Sequence, residues 1–252
     1  MTDPSISGVN RRLAMLIDGD NAQPSLIGEI IAEAGKYGIV TIRRIYGDWT
    51  TTNMKSWKET LNVHAVQPIQ QFRYTTGKNA TDSAMIIDAM DLLYEGVVNG
   101  FCLVASDSDY TRLAMRIREK GFFVMGIGNK TTPKSFVNAC EVFVFTENLR
   151  AVEAIKDKAA PGVVVAEPSS AGLPELLKSA VEMSLQEDGW AFLATVGSRL
   201  RQLDPSFDPR TYGKRQLSEL IKKYKDMFQT KKVRSKEGPS SVYVRFRDDT
   251  GE

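Results

Sequence analysis

A chain of 252 residues, 42% apolar and 25% charged, suits one large or two small domains and has the make-up of an ordinary globular protein. No apolar run approaches the roughly 18 residues of a membrane helix. The start lacks a basic segment followed by an apolar one, so a cytoplasmic protein with no membrane partner is expected. The net charge of +2 is spread unevenly, since residues 172–252 hold 15 Lys and Arg against 12 Asp and Glu while the rest is slightly acidic. Cys102 and Cys140 make no CxxC spacing and read as buried thiols, against a disulfide or zinc framework.

Along the chain, short apolar runs alternate with amphipathic stretches from residue 13 to 145. Strands are expected at 13–17, 40–46, 63–69, 101–105, 122–127 and 142–145, and helices at 24–36, 81–97 and 109–119. Gly38 and Gly121 stop the first and last of these helices. Strands without polar alternation, separated by helices, indicate a mostly parallel sheet covered on both faces, a doubly wound α/β domain. A helix over 146–158 completes a first domain spanning 1–158. Residues 159–172 are rich in Ala, Pro, Gly and Ser and have no helical period, so they read as a flexible linker. Beyond, in 173–252, helices are expected at 174–185, 197–203 and 216–224, with an apolar cluster over 190–196. Strands at 228–232 and 242–246 follow, paired across the turn-forming Glu237-Gly238-Pro239. Three helices and a two-stranded wing outline a small winged-helix domain.

In an open parallel sheet, ligands bind beyond the carboxyl ends of the strands, where the strand order reverses. Asp18 follows the first expected strand directly, and Asp107 and Asp109 follow the fourth. Asp82 opens the helix after the loop at 77–81. Aspartate is also a favoured helix cap, and Asp82 and Asp109 stand at cap positions. What singles these residues out is that four of them, after different elements, converge on one rim. Carboxylates at close range repel, and a hard divalent cation such as Mg²⁺ or Mn²⁺ relieves that repulsion through oxygen ligands.

Three motifs carry a resemblance: Ile-Asp-Gly-Asp-Asn at 17–21, Lys-Asn-Ala-Thr-Asp at 78–82 with Asp88 further on, and Ser-Asp-Ser-Asp-Tyr at 106–110. With them, residues 12–146 resemble the NYN-domain family of PIN-like ribonucleases in spacing and in strand–helix order. The resemblance implies that Asp18, Asp82, Asp107 and Asp109 ligate metal and carry catalysis. It also implies that Asn21 and Ser106 support the site or touch substrate, and that the substrate is RNA. Asp20 stays outside this set. Asp88, six positions after Asp82, is turned about 240° round the helix and is expected to face elsewhere. Arg73 and Lys78 are expected to line an RNA path towards the metals, beside Arg43, Arg44, Lys55 and Lys58 on the same sheet edge. Two other readings of these residues stay open. One is a haloacid-dehalogenase-type phosphatase using Asp18 as nucleophile and Asp20 as acid, against which Asn21 and the lack of a cap domain count. The other is an RNA-binding adaptor without catalysis.

Asp-Gly-Trp-Ala-Phe-Leu at 188–193, Gly-Ser-Arg-Leu at 197–200 and the run from Pro205 to Lys214 make residues 172–247 similar to the LOTUS (OST-HTH) family of winged-helix domains. The resemblance implies binding of RNA, including structured G-rich RNA, or of protein partners. Trp190, Phe192, Leu193, Phe207, Tyr212, Leu217 and Leu220 are expected in its core, with Gly213 allowing a sharp entry to the third helix. Arg210, Lys214, Arg215, Lys222, Lys223 and Lys225 crowd that helix and its entry. Lys231, Lys232, Arg234 and Lys236 crowd the wing. Together they form a phosphate-binding footprint or, read singly, a solvated face. His64, the single histidine, is expected to open a strand and to be structural. Gly126-Ile-Gly128 is too short to be a phosphate loop. Trp49 and Trp57 are expected to pack.

Overall fold

The computed structural model describes residues 11–72, 80–149, 172–233 and 240–247. They fall into two compact units, within Met1–Lys156 and Asp157–Glu252. The first unit is built on strands β1 (Arg12–Asp18), β2 (Ile39–Gly47), β3 (Gln67–Gln70), β4 (Gly100–Val104), β5 (Phe123–Gly128) and β6 (Val142–Phe145). All pair in parallel, in the order β3-β2-β1-β4-β5-β6. Helices α1 (Ile27–Ala34), α2 (Lys58–His64), α3 (Ala80–Glu95), α4 (Thr111–Glu119) and α5 (Lys134–Ala139) connect them.

The apolar runs without alternation explain this burial on both faces. In β1, Leu13, Met15 and Ile17 join a core with Ile27, Ile30, Trp57 and Leu61 of the α1–α2 side. Ala14 and Leu16 join the opposite core with Met85 and Ala89 of α3, Leu113 of α4 and Phe136 of α5. The doubly wound architecture expected from the sequence is the one observed. Of the helix expected over 146–158, its start at 146–149 is described and the remainder lies outside the described residues, as do 159–171 of the linker.

The strand expected over 63–69 is a correction. Residues 58–64 form α2, and β3 begins only at Gln67. Ala65, at φ 50, ends α2 in a left-handed cap, with the Val66 N–H donating to the Leu61 carbonyl at 3.0 Å. The apolar run thus conceals a helix end and a short edge strand. Pro68 is tolerated there because an edge strand has one side without ladder hydrogen bonds. His64 therefore closes a helix instead of opening a strand. Its carbonyl accepts from Arg43 Nη1 at 2.9 Å, and its ring stands where a Cβ on Gly28 would meet it at 3.3 Å, so its setting is structural. Trp57 is buried, and Trp49 packs against the same core while its Nε1 donates to the Ile69 carbonyl.

The second unit comprises α6 (Leu173–Glu182), β7 (Ala191–Phe192), α7 (Leu193–Leu203), α8 (Leu217–Lys223), β8 (Phe228–Val233) and β9 (Ser241–Phe246). Its antiparallel sheet runs β7-β9-β8, and the helices pack on it through Leu177, Val196, Leu200, Leu220, Ile221, Phe228 and Val244. This arrangement is consistent with a winged helix. Leu193, Phe207 and Leu220 are buried as expected, and Tyr212 and Leu217 pack against them. Trp190 and Phe192 are a correction, because they are half-exposed and stand outside this core. Gly213 takes φ 69, the left-handed turn into α8 for which glycine was expected. The turn at 237–239, Arg234 and Lys236 lie outside the described residues.

Candidate functional site

The strand order reverses between β1 and β4, whose ends stand side by side with Ile17 opposite Val104. Asp18 is the last residue of β1 and is 1% exposed. The chain leaves it through Gly19, whose N–H donates to the Tyr46 carbonyl at 2.9 Å. A Cβ on Gly19 would lie 2.6 Å from that oxygen, so only glycine lets the loop turn this tightly against β2. Asn21 Nδ2 donates to Asp18 Oδ2 at 2.6 Å, and the Asp20 N–H donates to Oδ1 at 3.1 Å. Burial raises the Asp18 carboxyl from 3.8 to about 6, with the charges of Asp82 and Asp20 adding to it and the two hydrogen bonds opposing it.

On the other side of the reversal, the Ala105 N–H still donates to the Ile127 carbonyl, and Ser106 Oγ accepts from the Asn129 N–H at 3.1 Å. Asp107 then caps a short 3₁₀ turn, Ser108–Tyr110, its Oδ1 accepting from the Asp109 N–H at 3.1 Å. Asp109 lies inside that turn and Asp82 in the first turn of α3, so neither is a cap residue in its own right. Tyr110 is fully buried, and its hydroxyl donates to Asp82 Oδ1 at 2.7 Å. Burial raises the Asp82 carboxyl, and Asp107, Asp109 and Asp20 raise it further against the Tyr110 hydrogen bond. Burial likewise raises the Tyr110 phenol, which therefore remains a proton donor to Asp82.

Asp82 thus lies within electrostatic reach of Asp18 on one side and of Asp107 and Asp109 on the other, and the Tyr110 hydroxyl sits among Asp18, Asp82 and Asp107. Asp20, which sequence reasoning set aside, belongs to the same field. Tyr110 was visible only as the residue closing the third motif, and nothing in the spacing signals a hydrogen bond across 28 positions. Asp88 turns away, as its helical angle implied, and holds Arg44 Nη1 and the Tyr46 hydroxyl. Arg44 is thereby committed to a structural ion pair. Arg73 and Lys78 lie outside the described residues.

An NYN-domain model matches residues 12–149, more than half of the chain. The chain belongs to the NYN-domain family. An OST-HTH/LOTUS domain model matches residues 167–239. No curated protein matches. Among solved structures, a protein of unknown function from Vibrio parahaemolyticus is similar at 16% identity and a TM-score of 0.46, over 54% of this chain and 93% of that one. An uncharacterized protein from Nitrosomonas europaea is 28% identical over 38% of this chain and 94% of that one, with a TM-score of 0.30. The WlbA dehydrogenase from Bordetella pertussis is 15% identical over 58% of this chain and 42% of that one, with a TM-score of 0.30.

The donor chemistry of the NYN rim fits Mg²⁺ or Mn²⁺. It offers hard carboxylate oxygens, and both burial and mutual repulsion hold Asp18 and Asp82 above the usual carboxylate range, a condition that a cation relieves. As the side chains stand, no three acidic, histidine or cysteine groups among the described residues gather round one point.

In the OST-HTH unit, Arg215, Lys222, Lys223, Lys225 and Lys232 are exposed and Lys214 half-exposed along α8, its entry and the wing. Arg210 differs, because its guanidinium grips Asp208 through both oxygens, so the pair adds no net charge to that face. No helix among the described residues is long and apolar enough to cross a membrane.

Proposed function

We propose that the NYN domain, residues 1–158, is a divalent-metal-dependent endoribonuclease, and that the OST-HTH unit, residues 173–252, holds RNA for it across a linker at 159–172. The observation that supports this reading best is the gathering of acidic groups at the strand-order reversal, where each of Asp18 and Asp82 is driven towards protonation by burial and by its acidic neighbours. Asp18, Asp82, Asp107 and Asp109 would hold Mg²⁺ or Mn²⁺. Bound there, the ion would supply an activated water and offset charge on the phosphoryl oxygens. Asn21 fixes the Asp18 carboxylate and Tyr110 fixes that of Asp82. Ser106, oriented by the Asn129 N–H, and Arg73 and Lys78 are the substrate contacts of this reading. The basic residues of α8 and the wing take the phosphate backbone, and structured or G-rich RNA is within their scope.

Incubating the full chain with single-stranded and structured RNA in Mn²⁺, Mg²⁺ or EDTA tests the proposal. Cleavage is expected with metal, not with EDTA, and should be abolished in Asp107→Asn. Cleavage that is indifferent to metal, or unchanged in that variant, would falsify it. A second reading, a non-catalytic RNA adaptor, is favoured by the separation of the carboxylates as they stand. It predicts retained RNA with no cleavage in any metal. The family assignment displaces the phosphatase reading, so no turnover of a generic phosphomonoester is expected.

A further inference from the structure

The strands of the OST-HTH sheet sort their residues onto two faces. Phe192 lies opposite Tyr243, Tyr243 opposite Lys231, and Arg245 opposite Gln229, so alternation places these five on one face. Ala191, Val244 and Phe228 occupy the other face, towards the core. A tight turn sets Trp190 beside the first group. Within it the Gly189 N–H donates to the Gln186 carbonyl, the Gln186 N–H to the Trp190 carbonyl, and the Trp190 N–H to Asp188 Oδ1 at 3.0 Å.

On this outer face, Lys231 Nζ stands 4.0 Å from the centroid of the Trp190 ring and 5.4 Å from that of Tyr243. The Arg245 guanidinium stands 4.8 Å from the Trp190 ring and is oriented by a hydrogen bond from its Nε to Gln229. The Phe192 and Tyr243 rings pack at 5.5 Å. Trp190, Phe192, Tyr243, Lys231 and Arg245 are all half-exposed. The Asp188 carboxylate, 3.9 Å from Lys231, offsets part of the charge and leaves the patch basic.

Core packing accounts for none of these three rings. We propose that this outer sheet face is a stacking surface for single-stranded RNA, separate from the basic α8 face. Bases of a single strand expose π-faces that stack on aromatic side chains, and interleaved cations take the flanking phosphates. Lys231 and Arg245 already lie against the rings, and turning them outward to phosphates frees the ring faces for bases. A duplex hides its base faces and is excluded from this mode. The choice of RNA over DNA rests on the proposed function, whereas stacking of a single strand does not.

The test is titration of the full chain, in EDTA so that cleavage plays no part, with a uridine 10-mer RNA while following tryptophan fluorescence. Quenching is expected, and it should disappear in Trp190→Phe, which leaves Trp49 and Trp57 in place. Replacing Lys231 and Arg245 together by Ala should weaken binding at least tenfold with an unchanged circular dichroism spectrum. Both cationic side chains reach solvent, so that pair decides the matter even if Trp190→Phe fails to fold. Equal affinity in the double variant overturns the proposal. So does equal Trp190-dependent quenching by a blunt RNA duplex, and so does quenching by a polyglutamate peptide in place of RNA, which would mark a protein-binding face. Because cleavage is not read, a chain without nuclease activity can still pass.

Discussion

A carboxyl that is 1% exposed among other acids holds its proton more tightly than one in water, and Asp18 shows what that does to stability. Its folded-state value of about 6 lies above the ordinary 3.8, so the native state retains a proton that the unfolded chain has already released. The associated stability is fully present below about pH 4 and is lost as pH rises through about 6. The rise corresponds to ~3 kcal/mol. In EDTA, Asp18→Asn is expected to stabilise the protein by about 1–3 kcal/mol at pH 7.5 and to do much less at pH 4, measured by urea unfolding. A variant destabilised equally at both pH values would show that the Asn21 hydrogen bond outweighs the buried charge. Asp18 was legible in the sequence because a strand ends on it. The share of Asp20 in the field around it was not, since Asp20, two residues on, enters it only through the turn that Gly19 permits.

Elements that read clearly were those whose burial is uniform. β4 and β5 are apolar throughout and β1 is so from Leu13 to Ile17, and the cores on either side of the sheet explain why. α2 was lost because only Leu61 of its seven residues is buried, which leaves no periodic stripe to find. α5, with six residues, is too short for one. The placement of α3 shows what position along an element adds. Asp82 at its start faces the acidic rim, while Asp88, less than two turns on, ties the helix to β2 through Arg44 and Tyr46. Asp88→Ala removes the anchor and leaves a half-buried guanidinium with one partner fewer. A loss of roughly 1–3 kcal/mol is expected by denaturant unfolding. If the anchor also holds Asp82 in place, RNA cleavage should fall in the same variant even where the protein is fully folded. Unchanged stability would mean that the α3 core contacts alone hold the helix.

At the scale of the molecule, the chain divides into two compact units, to each of which the proposed function gives a separate task. On that proposal, the tethered second unit would raise the concentration of RNA near the acidic rim without adding contacts there. Deleting 160–252 is expected to weaken RNA binding, measured by gel shift, while slow metal-dependent cleavage of short RNA persists. Complete loss of cleavage would show that the second unit builds part of the active site. The order of the two units was legible because strand–helix alternation gives way to three helices and a wing, whereas the basic face expected on the second is altered in detail by the Arg210–Asp208 pair. The two buried cysteines have a consequence of another kind. Cys102 lies in the core on the α1–α2 side of the sheet and Cys140 in the core on the α3–α5 side, and burial raises both thiols. A thiol reagent can reach neither until its own layer opens, and the chain has no other cysteine to add background. Cys102→Ser and Cys140→Ser, each labelled under mild denaturant, turn the protein into a two-channel reporter of which side of the sheet lets go first. Ligand-induced tightening of the rim would then register as slowed labelling, without any need to follow the reaction itself.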